Sequence, residues 1–133
     1  MLTPEYGGDG IKTVEDKYIN PVVAFPAHLA PNDLLFYTGT QFPARYKNGA
    51  FVALHSQSSV LKKGYFVAFV PFKNGKPEGD WEIFANNFAG TDLEKPTGPI
   101  KYRPTGLAQG PDGSLYVADD VKGAIFKISY KGK

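Results

Sequence analysis

Thr105-Gly106-Leu107-Ala108-Gln109-Gly110-Pro111-Asp112-Gly113-Ser114-Leu115-Tyr116-Val117-Ala118-Asp119-Asp120-Val121-Lys122-Gly123-Ala124-Ile125-Phe126-Lys127-Ile128-Ser129-Tyr130 decides the fold. Asp112-Gly113 suits a hairpin turn that needs positive φ at its centre, and it joins a run at 106 to 109 to a run at 114 to 118. A polar loop over 119 to 122 follows. Gly123 then releases a third strand at 124 to 130, in which Ile125, Lys127 and Ser129 alternate with Phe126, Ile128 and Tyr130. Strands this short cannot bury a face alone and must stack on copies of themselves.

A second copy lies upstream. Asn48-Gly49-Ala50-Phe51-Val52-Ala53-Leu54-His55 repeats the pattern of Asp112-Gly113-Ser114-Leu115-Tyr116-Val117-Ala118-Asp119, and the turn glycines at 49 and 113 stand 64 residues apart. Each copy is preceded by a Pro-led strand and followed by a strand that opens on Gly. The pattern predicts a first propeller-like blade over about 31 to 86 and a second over about 103 to 130. A single β-sandwich with the same turn spacing is the alternative.

Composition agrees with an all-β chain. Apolar residues make up 42% of the 133, enough for the core of one domain. Fifteen Gly, 11 Pro and 14% aromatics, with no long helix-period stretch, point to many short strands. The net charge of +2 is spread without a block of like charge, which argues against a nucleic-acid footprint. Cysteine is absent, which excludes disulfides, thiolate metal sites and a cysteine nucleophile. No run is long enough to span a bilayer, and the first residues have neither a basic start nor an apolar core, so no export signal is expected here.

In chain order, residues 1 to 20 read as an arm or loop, and residues 21 to 133 as the blades. A strand is expected at 21 to 25, between Asn20-Pro21 and Phe25-Pro26. Further strands are expected at 34 to 38, 49 to 55, 64 to 72, 81 to 85, 105 to 109, 114 to 118 and 124 to 130, with Asn74-Gly75 as a hairpin turn. The strand at 21 to 25 is left over before the first blade, while the second blade has only three strands. Exchange of that strand between neighbours would complete each blade and, for a six-bladed ring, give a homotrimer. His28 lies in a loop and His55 at a strand end; Asp119 and Asp120 are adjacent acids, expected on opposite faces of a solvated turn. No Gly-x-Ser-x-Gly, His-Glu-x-x-His, P-loop or dinucleotide fingerprint is present.

Phe25-Pro26-Ala27-His28-x-Ala30-Pro31-Asn32-Asp33-Leu34, Phe36-Tyr37-Thr38-Gly39, Gln41-Phe42-Pro43-Ala44, Val70-Pro71-Phe72, Arg103-Pro104-x-Gly106-Leu107-Ala108 and Gly110-Pro111-Asp112-Gly113-Ser114-Leu115-Tyr116 carry a resemblance. Over roughly residues 20 to 130 they, together with Asn48-Gly49-Ala50-Phe51-Val52-Ala53-Leu54-His55, resemble the last two blades of the glucose/sorbosone dehydrogenase family of quinoproteins. The resemblance implies a β-propeller fragment: about two four-stranded antiparallel blades of a six-bladed propeller that oxidises sugars or aldehydes with pyrroloquinoline quinone and Ca²⁺. It implies that Arg103, His28 and His55 sit on the loops of the cofactor face, with Arg103 suited to gripping a carboxylate of the quinone. The family's catalytic histidine and Ca²⁺ ligands belong to earlier blades, so no catalytic residue or metal ligand is assigned to this chain. The implied partner is a small sugar or aldehyde, with the periplasm or exterior as the implied compartment. Two functions follow as expectations: the C-terminal third of such a dehydrogenase, inactive alone, or a non-catalytic, self-assembling propeller module that binds a sugar or small anion.

Overall fold

The computed structural model describes residues 21 to 132, so the arm expected at 1 to 20 lies outside the described residues. The strands are β1 (Pro31–Phe36), β2 (Ala50–Ser58), β3 (Lys63–Val70), β4 (Phe72–Lys73), β5 (Lys76–Pro77), β6 (Glu82–Ala85), β7 (Pro104–Gln109), β8 (Leu115–Asp119) and β9 (Ile125–Ile128). One 3₁₀ turn at Ala44–Tyr46 is the only helical element among the described residues, and the fold is all-β. β1-β2-β3-β6 form one antiparallel sheet, β7-β8-β9 a second, and β4-β5 a two-stranded ear.

The apolar run of β2 explains its central place. Residues 50 to 54 are all buried, so both faces of the strand are covered. Phe51, Val67 and Phe69 point toward the second sheet and meet Leu115 and Val117 in one core. Ala50, Val52, Leu54, Phe66, Ala68 and Val70 point the other way, into a second core closed by Leu29. The first core is aromatic: rings of Phe42, Tyr46, Phe51, Phe69 and Phe84 have centroids 4.5 to 6.1 Å apart, mostly tilted or edge-on, as the quadrupoles prefer.

Polar bonds set the register between the sheets. The Tyr37 hydroxyl, fully buried, donates to the carbonyl of Gly113 at 2.7 Å and accepts from the N–H groups of Phe42 and Gln41 at 3.1 and 3.2 Å. The Asp33 carboxylate on β1 accepts from the Leu107 N–H on β7 at 2.7 Å, and Gln109 Oε1 accepts from Thr38 and Gly39 N–H at 2.9 and 3.0 Å. Gly113 is needed at its turn: its φ is +80°, and a Cβ there would stand 3.0 Å from Gln41.

One expectation is corrected. Residues 21 to 25 form no strand. Pro21 and Pro26 lack an N–H for a ladder, and the segment instead lays Val23 and Phe25 on the outer core, with the Phe25 ring 5.2 Å from that of Trp81. The four strands of the first sheet and the three of the second are the numbers expected. Asn74-Gly75 does turn a hairpin, with φ of 51° and 75°, but between β4 and β5.

Tyr37→Phe leaves the Gly113 carbonyl and two backbone N–H groups without their partner. The expected loss is about 1–3 kcal/mol in urea unfolding. Gly98→Ala, where a Cβ would meet nothing within 4 Å, should stay within about 0.5 kcal/mol of wild type.

Candidate functional site

The antiparallel connections bring four chain positions to one end of the two sheets: the entry to β1, the exit of β2, the entry to β7 and the exit of β8. These positions hold His28, His55, Arg103 and Asp119-Asp120. Arg45 lies at the opposite end, beside the entry to β6, where it pairs with Glu82 at 2.7 Å.

His55 is set by a break in the β2–β3 ladder between Leu54 and Gln57. Released from β3, the His55 and Ser56 N–H groups donate to the carbonyls of Ala30 and Leu29 at 3.0 and 3.1 Å. The imidazole is mostly enclosed, and its Nε2 lies 2.9 Å from Asp120 Oδ2. A neutral His55 must keep its proton on Nε2 to make this bond, which leaves the Nδ1 lone pair as an acceptor; protonation turns Nδ1 into a donor.

Arg103 immediately precedes β7. Its Nε donates to Asp120 Oδ1 at 3.2 Å, and its side chain is 39% exposed. Asp120 thus gives one oxygen to His55 and the other to Arg103, joining residues from the two sheets. Because Arg103 spends only Nε on this bond, both Nη groups keep their donors, the end of the fork that grips a carboxylate in bidentate fashion.

Asp119 holds the loop that carries Asp120. The carboxylate is 5% exposed and accepts from the backbone N–H of Arg103 at 2.6 Å, of Lys122 at 2.8 Å and of Val121 at 3.1 Å. One buried side chain therefore fixes the entry to β7 and the exit of β8 together. Burial pushes its pKa up, but those backbone N–H groups outweigh it and hold the carboxyl below the usual range. Asp120 is also held low, first by the hydrogen bond from His55, against partial burial, with the charges of His55 and Arg103 adding.

Of the three residues singled out in the sequence, the structure joins two. His28 sits in the same end region but in a left-handed conformation, φ 68°, with its side chain exposed and no hydrogen bond to the cluster. Asp119 and Asp120 do point apart, as adjacent residues on a strand should, yet neither is merely solvated. The sequence signal for Asp119 was present: an Asp followed two and three residues later by free N–H groups before a Gly is the pattern of an Asx-type loop. The bridge made by Asp120 spans 65 residues to His55 and had no local signal.

The family whose model matches is described as TrAA12-like, over residues 10–131. An uncharacterized protein of Borreliella burgdorferi (strain B31) is 28% identical over 117 residues, 86% of this chain and 30% of that protein. The chain thus spans about a third of the length of that relative. No solved structure matches. The matching family is a different one from the glucose/sorbosone dehydrogenases, which overturns that resemblance and, with it, the reading as part of a quinoprotein sugar or aldehyde dehydrogenase. The quinone and Ca²⁺ entered only through that resemblance. Arg103 suits a carboxylate of such a group, but a Ca²⁺ ligand set does not assemble: among the described residues no three His, Asp or Glu side chains gather as a metal site.

The Asp119 carboxylate stabilises the fold as an anion. Its folded pKa lies below the unfolded value, so its contribution is complete above about pH 4 to 5 and is lost as pH falls through the lowered folded value. Asp119→Asn should be less stable than wild type at pH 7 and should close the gap as pH drops below about 4. Urea midpoints measured from pH 7 to pH 2 check this, and parallel curves would remove the role given to Asp119.

Proposed function

The chain belongs to the TrAA12-like family, and we propose that it is a ligand-binding part of a β-propeller-type domain whose sheet ends hold a small carboxylate-bearing molecule between Arg103 and His55. Support for the propeller reading comes from the repeat of form. Each sheet is an antiparallel meander, β1-β2-β3-β6 and β7-β8-β9, with the β4-β5 hairpin inserted between β3 and β6. The first strand of each lies beside that of the other, tied by Asp33 to Leu107 and Asn32 to Thr105. The two stack face to face through Phe51, Phe69, Leu115 and Val117, with the site loops at one common end.

The observation that carries the binding reading is the bridge of Asp120 to His55 at 2.9 Å and to Arg103 at 3.2 Å. It orients both groups before a ligand arrives. The free Nη fork of Arg103 takes one carboxylate in plane. Asp120 holds the Arg103 guanidinium and the His55 imidazole together in the absence of a ligand. The function is recognition; the geometry calls for no bond making or breaking.

Calorimetric or NMR titration of the full chain with citrate, a small polycarboxylate, tests the reading. Saturable binding is expected, weakened about tenfold or more by Arg103→Ala, as for loss of a charge-assisted fork worth about 1.5–3 kcal/mol, and unchanged by Arg45→Ala at the far end. Equal effects of the two substitutions would remove Arg103 from the site.

A further inference from the structure

The chain carries the dipeptide Asn-Gly twice, at Asn48-Gly49 and Asn74-Gly75, with Asn48 and Asn74 both left-handed at φ of 63° and 51°. The two turns have unlike surroundings. Gly49 is buried: its N–H donates to the Tyr46 carbonyl at 3.2 Å, its carbonyl accepts from the Tyr37 N–H at 2.8 Å, and a Cβ there would collide with the Phe69 ring. The Asn48 N–H donates to the Tyr37 carbonyl at 2.7 Å. Asn74 and Gly75 are exposed instead, a Cβ on Gly75 would meet nothing within 4 Å, and among the described residues no carbonyl takes the Gly75 N–H. Their hairpin is held by the pairs Phe72 with Pro77 and Lys73 with Lys76, and by one bond from the Glu78 N–H to the Pro71 carbonyl at 2.8 Å. A two-stranded hairpin this short has little stability of its own, so it opens locally far more often than the core does.

We infer that Asn74 is a site of spontaneous deamidation and isoaspartate formation in the folded protein, and that Asn48 is protected from the same reaction. The Gly75 nitrogen attacks Asn74 Cγ and gives up its proton; the Cγ–Nδ2 bond breaks and ammonia leaves, closing a five-membered succinimide. Glycine suits the attacking position because no Cβ shields its nitrogen. Water then opens the ring. Cleavage between the Gly75 nitrogen and Cγ gives aspartate, and cleavage between that nitrogen and the main-chain carbonyl carbon gives isoaspartate. At Asn48 the attack requires the Gly49 N–H to leave Tyr46 and the backbone to move against Phe69, which means opening the aromatic core. Conversion at Asn74 places a carboxylate between Lys73 and Lys76, and the isoaspartate form lengthens the backbone of a two-residue loop, so the Lys73–Lys76 register is lost. The Phe72 ring, held 5.1 Å from Phe36, belongs to the same hairpin and is released with it. This hairpin follows Val70, which pairs with Ala50 at the start of β2, the end away from the Arg103 cluster, so the chemistry owes nothing to the ligand reading.

The wild-type full chain, kept in mildly alkaline buffer at physiological temperature and sampled over weeks, provides the test. Peptide mass and fragmentation should show Asn74 gaining the roughly one mass unit of amide-to-acid conversion, with isoaspartate among the products. Asn48 should change about tenfold or more slowly, because only a large opening exposes it. The same chain in concentrated urea is the reference, where both sites should react at similar rates once the turns are gone. An Asn48 that reacts as fast as Asn74 in the folded chain would overturn the inference. So would an Asn74 that stays intact in the folded chain over the time in which it converts in urea.

Discussion

Burial of Phe51, Val67 and Phe69 beneath Leu115 and Val117 is the contact on which the rest of the structure depends. Neither sheet is viable alone: one has three short strands, and the other exposes apolar side chains on both faces. Stacking them buries one face of each. Dispersion and dehydration do not fix which strand lies over which, because apolar faces slide at small cost. That choice falls to Tyr37, Asp33 and Gln109, whose bonds cross between the sheets and are satisfied in one register only. The division of labour is between an apolar face that supplies stability and three polar side chains that supply position.

The end that carries His55, Arg103 and Asp120 inherits its geometry from this stacking. His55 ends a strand of the first sheet and Arg103 begins the second, so a slip of one residue between the sheets would part them by about 3.3 Å, more than a hydrogen bond tolerates. Asp119 and Asp120 show how adjacent residues divide such a task. Asp119 turns inward and collects backbone N–H groups, which makes its loop rigid; Asp120 turns outward and meets His55 and Arg103. On an exposed surface an ion pair of this kind is worth little to stability. Its value here is orientation.

Most of the fold was legible in the sequence, because it is written locally. Asn74-Gly75 and Asp112-Gly113 mark turns by chemistry that acts within a few residues, and the apolar run at 50 to 54 marks a strand covered on both sides. The failure at residues 21 to 25 has a physical reason. Val22, Val23 and Phe25 have the propensity of a strand, but Pro21 and Pro26 remove ladder donors, and burial against Trp81 and the outer core offered the apolar side chains a better place than pairing did. The site was legible only in part. Position relative to the strand ends placed His28, His55 and Arg103 at one end, whereas the selection of His55 and Arg103 over His28 was made by a long-range bridge through Asp120 and by a ladder break that no local pattern announces.

The misassigned family follows from the same distinction between local and long-range information. Several of the segments that suggested the glucose/sorbosone dehydrogenases lie in turns and buried strands: Asn48-Gly49 with a left-handed Asn48, Gly110-Pro111-Asp112-Gly113-Ser114 with a left-handed Gly113, and the apolar run that begins at Ala50. Their physical work is to reverse the chain tightly and to present a flat apolar face, and any protein stacking short antiparallel sheets must solve that problem. Gly113 is glycine because its φ is +80° and Gln41 stands against it, and Asp112 is acidic because Ser114 and Lys127 bond its carboxylate. None of these reasons refers to a cofactor. Similarity at such positions transmits a folding solution, while chemistry travels with side chains at the sheet ends, where this chain places an Asp-bridged His and Arg.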